Sequence, residues 1–144
     1  MKYRTRKMVA AKDLNSNGAL FGGRVLAWID EEAFIYAACQ LESTSVVTRS
    51  ISDVHFLAGA RQGDIVEIGT GVVEFGRTSI TIECEVRNRR TRQSITRVDR
   101  LVFVRVDGEG EPKAHGVTPG EPARSDTATG GNTADRADQD AVAP

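Results

Sequence analysis

Between Gly22 and Leu41 the chain is apolar on almost every side, carrying Val25, Leu26, Trp28, Ile29, Ala33, Phe34, Ile35, Tyr36, Ala37 and Ala38. Its one acidic interruption is Asp30-Glu31-Glu32. A helix with so little polar surface must be wrapped by other elements rather than lie on the outside of a domain. Those elements are β-like. Four runs follow the helix, at Ser45 to Phe56, Ile65 to Phe75, Ser79 to Val86 and Ile95 to Val106, and Tyr3 to Ala10 precedes it. Turn signals separate them at Gly59 to Asp64, Gly76-Arg77 and Asn88 to Arg92. In the third run Ile80, Ile82, Cys84 and Val86 alternate with Thr81, Glu83, Glu85 and Arg87, the pattern of an antiparallel strand with one buried face. The expected class is therefore α+β, a five-stranded antiparallel sheet curled around one long helix. So small a sheet leaves free edges, and pairing an edge with a second copy predicts at least a homodimer.

Within the helix, Asp30 shares its face with Leu26, Ala27, Ala33 and Phe34, the residues three and four away. An ionised carboxylate among apolar neighbours costs several kcal/mol unless it is paired, hydrogen-bonded or set in a cleft, so Asp30 calls for a partner or a chemical task. A polar loop, Asn15-Ser16-Asn17-Gly18, and the segment Phe21-Gly22-Gly23 lead into the same helix. Glycine permits close backbone approach and the first amides of a helix lack acceptors, which makes the Gly23 N–H a candidate oxyanion donor. Asp30 lies seven residues on, about 10 Å along the axis, too far to act on a carbonyl held at its own helix start. An Asp from another copy meets that geometry.

All eight aromatic residues lie at or before Phe103 and all four prolines at or after Pro112. From Gly108 to Pro144 there is no Leu, Ile, Met, Phe, Tyr, Trp or Cys, so a domain over residues 1–107 followed by an unfolded, mildly acidic tail over 108–144 is expected, dispensable for activity. A net charge of −1 carries no basic excess of the kind a dedicated nucleic-acid binder shows. Cys39 and Cys84 read as reduced core residues, no metal-ligand spacing occurs, and no apolar stretch suits a leader or a membrane span, so a cytoplasmic protein without cofactor or metal is expected. A Ser-His-Asp hydrolase is disfavoured: there is no Gly-x-Ser-x-Gly, His115 falls in the expected tail, and His55 sits between Val54 and Phe56 as a packed strand histidine.

From Ala11 to Asp107 the sequence resembles the acyl-CoA thioesterases of the hotdog superfamily, the group of the bacterial YciA-type enzymes and the brain acyl-CoA hydrolases. The resemblance rests on Asn15-Ser16-Asn17-Gly18, Phe21-Gly22-Gly23, Trp28-Ile29-Asp30, Val47-Thr48-Arg49-Ser50, Phe56, Gly63-Asp64-Ile65-Val66 and Gly76-Arg77-Thr78-Ser79, in the family's order. It implies hydrolysis of acyl-CoA to a free acid and CoA at a metal-free site shared between two subunits. Asp30 would act as base or nucleophile, Asn15 of the other subunit would place water or the thioester, and the assembly would be a trimer of dimers. Thr48, Arg77 and Ser79 match positions lining the CoA groove beside Phe21 and Gly22. The run Arg87-Asn88-Arg89-Arg90 is a candidate phosphate contact through Arg87, Arg89 and Arg90.

Two departures stand out. Leu57-Ala58-Gly59-Ala60-Arg61 lacks the proline common there in relatives, and the last strand is charge-rich at Arg97, Asp99, Arg100 and Arg105. A hotdog dehydratase would place a His in the loop where this chain has Asn15 and Asn17. The non-enzyme alternative is an acyl-CoA-binding sensor that keeps the groove without chemistry.

Overall fold

The computed structural model describes residues 1–118. Strand β1 (Lys2–Met8) leads through a short 3-10 turn (Ala11–Asp13) into helix α1 (Gly22–Leu41), and β2 (Val46–Phe56), β3 (Ile65–Phe75), β4 (Ser79–Asn88) and β5 (Ser94–Arg105) follow. The strands form one antiparallel sheet in the order β1-β3-β4-β5-β2, with β1 and β2 at its edges. The expected element order and the α+β class hold.

Helix α1 buries Val25, Ile29, Ala33, Ala37 and Leu41, one residue every four positions, against the buried sheet residues Val66, Ile68, Ile80, Ile82, Val98, Leu101 and Phe103. Small side chains at Ala33 and Ala37 let the axis approach the sheet. The helix ends at Glu42, whose left-handed backbone (φ 50°) lets its amide reach the Ala38 and Cys39 carbonyls. Beside that stripe Leu26, Trp28, Phe34 and Tyr36 pack partly buried against the core, while Phe21 at the helix start is 55% exposed and Ile35 is 49% exposed. Cys39 lies off that stripe and is exposed, contrary to its expected place in the core. Cys84 faces the helix on β4, and burial, aided by Glu32 and Glu85, pushes its thiol pKa up to about 12.

The chain remains packed beyond Asp107. The Asp107 Oδ1 accepts the Glu109 and Glu111 amides, Val106 bridges to Pro112, and the Lys113 amide donates to the Arg105 carbonyl at 2.8 Å. Backbone bonding and one buried histidine rather than large aliphatic residues hold this stretch, which follows the boundary expected at Asp107. Residues 119–144, the rest of the expected tail, lie outside the described residues.

One buried charge ties β1, β3 and the β4–β5 turn together. Glu67 on β3 is 3% exposed and faces Arg87 (Nε, 2.7 Å), Arg92 (Nη1, 2.9 Å), Arg89 (Nε, 3.6 Å) and Arg6 (Nε, 3.7 Å). The Arg87 guanidinium also stacks 3.4 Å above the Tyr3 ring. Burial alone would raise the Glu67 pKa, but Arg87, Arg92 and Arg89 outweigh it and hold the carboxyl below its ordinary 4.5. A carboxyl whose pKa falls on folding stabilises the fold above its unfolded pKa and loses that contribution as pH falls through the folded value. Glu67→Gln should thus cost about 2 kcal/mol near pH 7 and flatten the acid limb of the stability profile below about pH 4.5. Urea unfolding across pH 3 to 7 checks this. A variant as stable as wild type at pH 7 would contradict it.

Candidate active site

The loop that carries Asn15 is closed by the residue that precedes it by two. Asp13 is buried; its Oδ2 accepts the Ala10 amide at 2.9 Å, its carbonyl accepts the Phe21 amide at 2.8 Å, and its Oδ1 lies 3.4 Å from Arg24 Nε. One aspartate therefore joins the end of β1, the loop and the first turn of α1. Sequence reasoning passed over it. The signal was an Asp three residues after Ala10, the spacing at which a carboxylate caps a backbone amide just past a strand.

Asn15 sits at the head of a tight turn. Its Oδ1 accepts the Asn17 and Ala19 amides at 2.9 and 3.1 Å, its amide donates to the Ala19 carbonyl at 2.7 Å, and Gly18 turns the chain at φ 75°. With the oxygen engaged twice, Nδ2 is the outward arm, and it has no hydrogen-bond partner among the described residues. The loop holds Asn15 as a fixed donor.

Helix α1 begins without a side-chain cap: Phe21 is the N-cap residue, and the Arg24 and Val25 amides turn back to its carbonyl. The Gly22 and Gly23 amides are the helix's first two and have no acceptor within it. A Cβ on Gly22 would lie 3.3 Å from the Phe56 ring, and one on Gly23 would lie 2.7 Å from the Phe21 ring. Glycine at both positions leaves room for two aromatic rings beside free helix amides. Phe56, at the end of β2, is 57% exposed.

Asp30 stands two turns further along, half-buried beside the sheet stripe and within reach of the edge strand β2. Its Oδ1 accepts a hydrogen bond from Thr48 Oγ1 at 2.9 Å, and no cation pairs with it among the described residues. The apolar flank read from the sequence is present, and the partner it called for is a hydroxyl. Thr48, expected along the CoA groove, orients the carboxylate, and Oδ2 has no hydrogen-bond partner among the described residues. The neighbouring Glu32 is occupied by Thr5 of β1.

The structure therefore brings Asp30 and Thr48 together, and Phe21, Gly22, Gly23 and Phe56 together, but no contact joins Asn15 to Asp30 within a protomer. Arg77 and Ser79 lie at the β3–β4 turn, where the Gly76 amide donates to the Ser79 carbonyl at 2.8 Å and the Arg77 carbonyl accepts the His115 amide at 3.2 Å. The arginine run lies at the other end of β4, about 30 Å away for a ten-residue strand. Arg87 and Arg89 face Glu67 there, while Arg90 is exposed, its amide held by Asn88 Oδ1. Arg87 and Arg89, read as candidate phosphate contacts, both face the buried Glu67 carboxylate through Nε. His55, expected as a packed histidine, is half exposed and lies 3.5 Å from Asp99. Among the described residues no group of His, Cys, Asp and Glu is gathered to hold a metal ion, and no helix is long and apolar enough to cross a membrane.

Comparison with known proteins places this geometry. The family model of the Thioesterase superfamily matches residues 17–95. An uncharacterized acyl-CoA thioester hydrolase of Buchnera aphidicola is 34% identical over 119 residues, 78% of this chain and 86% of that protein. The acyl-CoA thioester hydrolase YciA of Escherichia coli is 30% identical over 115 residues, 76% of this chain and 86% of YciA. Among solved structures, the hexameric thioesterase y2039 of Yersinia pestis superposes with a TM-score of 0.73 at 29% identity, covering 78% of this chain and 93% of that one. An acyl-CoA hydrolase of Staphylococcus aureus, solved with butyryl coenzyme A and coenzyme A, gives 0.69 at 32% identity, covering 76% and 66%. That hydrolase was also solved with a single Asp, and with a single Asn, replaced by Ala. With more than half of its length matched by the family model and relatives of 30% identity or more aligned over three quarters of it, this chain belongs to the thioesterase superfamily, among the hotdog-fold acyl-CoA thioester hydrolases.

Proposed function

We propose that the protein hydrolyses acyl-CoA thioesters to a free carboxylic acid and CoA, with Asp30 of one subunit and Asn15 of its partner completing each site. The observation that carries this reading is the half-buried Asp30 carboxylate, held by Thr48 through one oxygen, with no partner at the other and no paired cation among the described residues. The relatives' names give the substrate class. Water adds to the thioester carbonyl, the carbon–sulfur bond breaks, and the sulfur leaves as CoA with a proton. Asp30 either takes a proton from the attacking water or attacks the carbonyl itself; in both routes its free Oδ2 does the work. The Gly23 amide meets the negative charge developing on the carbonyl oxygen, and Asn15 Nδ2 is a second donor. Phe21 and Gly22 border the reacting group, while Arg77 and Ser79 at the β3–β4 turn, and Arg90 more remotely, meet the CoA moiety.

The two-subunit site requires self-association. Edge strand β2 exposes Val47, Ile51 and Phe56, and Phe21 and Ile35 are open on the helix, a surface that a second copy would cover. The hexameric neighbours support a trimer of dimers. Light scattering should give a multiple of the protomer mass, and a monomer alone would overturn the shared site.

CoA release from a panel of short, medium and long acyl-CoAs tests the activity. Asp30→Ala should cut kcat by roughly a thousandfold with the oligomer intact, the scale of losing a general base. Bound esters with no CoA released by wild type would establish the sensor reading instead, and full turnover by Asp30→Ala would mean another group attacks. Thr48→Val removes the donor that fixes the carboxylate and should lower kcat about tenfold while leaving KM near its wild-type value.

A further inference from the structure

His115 lies beyond the segment that the family match covers and is only 7% exposed, yet the catalytic reading gives it no task. Both of its ring nitrogens meet backbone groups. The Val117 amide donates to Nδ1 at 3.0 Å, and Nε2 lies 3.0 Å from the Ser79 carbonyl oxygen, which can only accept. These partners require a neutral imidazole with its hydrogen on Nε2. Gly116, at φ 73°, turns the chain so that the Val117 amide can fold back on the ring. The ring meets Phe75 edge-on at 6.1 Å, and its backbone amide donates to the Arg77 carbonyl at 3.2 Å. On the far side Arg105 Nη1 lies 3.4 Å from the His115 carbonyl, and the Arg105 carbonyl takes the Lys113 amide. Residues 113–117 thus form a strap across the β3–β4 turn, closing a cleft of about 470 Å³ lined in part by Phe75, Arg77 and Val117.

We propose that His115 is a positioning residue: its neutral ring clasps the strap to the β3–β4 turn and so fixes Arg77 for CoA, and its protonation releases both. This rests on the assignment of Arg77 to CoA binding. A proton on Nδ1 would turn an acceptor into a donor facing the Val117 N–H. The charged side chains nearest the strap are Arg105 of β5, whose Nη1 donates to the His115 carbonyl, and Arg77, which lines the same cleft; the acidic turn after β5 engages its Asp107 with backbone amides. No carboxylate among the described residues pairs with His115, so the imidazolium would gain cationic neighbours and no counter-ion. Release therefore accompanies acidification.

Two readouts test this in the full chain. Nitrogen-15 NMR of the imidazole reports the clasp without any turnover: the expected spectrum at pH 8 has Nδ1 bare and Nε2 protonated, with the Val117 amide protected from exchange. The opposite tautomer, or an unprotected Val117 amide, would overturn the clasp. For function, KM for a short acyl-CoA is compared from pH 8 to 5.5 in wild type, His115→Asn, Arg77→Ala and the double variant. Asparagine cannot titrate in this range and keeps one acceptor for Val117, so loss of the Ser79 bond should raise KM about fivefold at pH 8, with kcat little changed. The wild-type KM should rise toward pH 5.5, and that of His115→Asn should not. The double variant should be no weaker than Arg77→Ala, because His115 acts through it. Additive losses, or equal pH profiles in wild type and His115→Asn, would overturn the positioning role. An unchanged KM in Arg77→Ala would instead remove Arg77 from CoA binding and leave the clasp standing on its spectrum.

Discussion

A single helix laid on one small sheet can bury only one stripe, and the rest of this protein follows from that constraint. Val25, Ile29, Ala33, Ala37 and Leu41 take the stripe, and Asp30 is left half-buried beside it, between Leu26 and Phe34, which pack against the edge of the core. Thr48 reaches across from edge strand β2 to hold the carboxylate, which ties Asp30 to a strand whose outer edge is free in the protomer. The free helix amides stand two turns away on the same rigid rod. In the proposed mechanism, helix geometry separates the donor from the attacking group within a protomer, so a second subunit is needed to bring them together.

Rigidity of the remaining parts comes from buried polar groups rather than from more apolar bulk. Asp13 joins a strand end, a loop and a helix start through three contacts, which aims Asn15 without holding its donor nitrogen. Glu67 gathers four arginines that would otherwise repel one another at one end of the sheet. His115 ties the chain after β5 to the opposite end. Each of these groups is satisfied by partners from different elements, the condition under which buried polarity specifies geometry.

The fold was legible because its signals are periodic. The helix begins at Gly22 and ends at Leu41 as its apolar run indicated, and Ile80, Ile82, Cys84 and Val86 face inward as their alternation required. The errors arose where long-range partners decide. Cys39 looked like core because the whole helix is apolar, but the stripe that packs is set by the sheet. That Arg87 and Arg89 face Glu67 was not readable, because Glu67 lies twenty residues or more away in sequence. His115 sat in a stretch without large apolar residues, and what packs it is backbone hydrogen bonding, which composition does not reveal. Asp30 was readable as an anomaly, a carboxylate among apolar neighbours; that its partner is Thr48 was not.

The claim that each site draws Asp30 and Asn15 from different subunits is tested most directly by mixing two inactive variants. Asp30→Ala and Asn15→Ala, unfolded together and reassembled at equal amounts, should regain about a quarter of wild-type kcat, because half of the dimers are mixed and each mixed dimer holds one intact site of two. Recovery to that level establishes a site built across the interface. Mixed oligomers, verified by differential tags, that remain as inactive as their parents would contradict it.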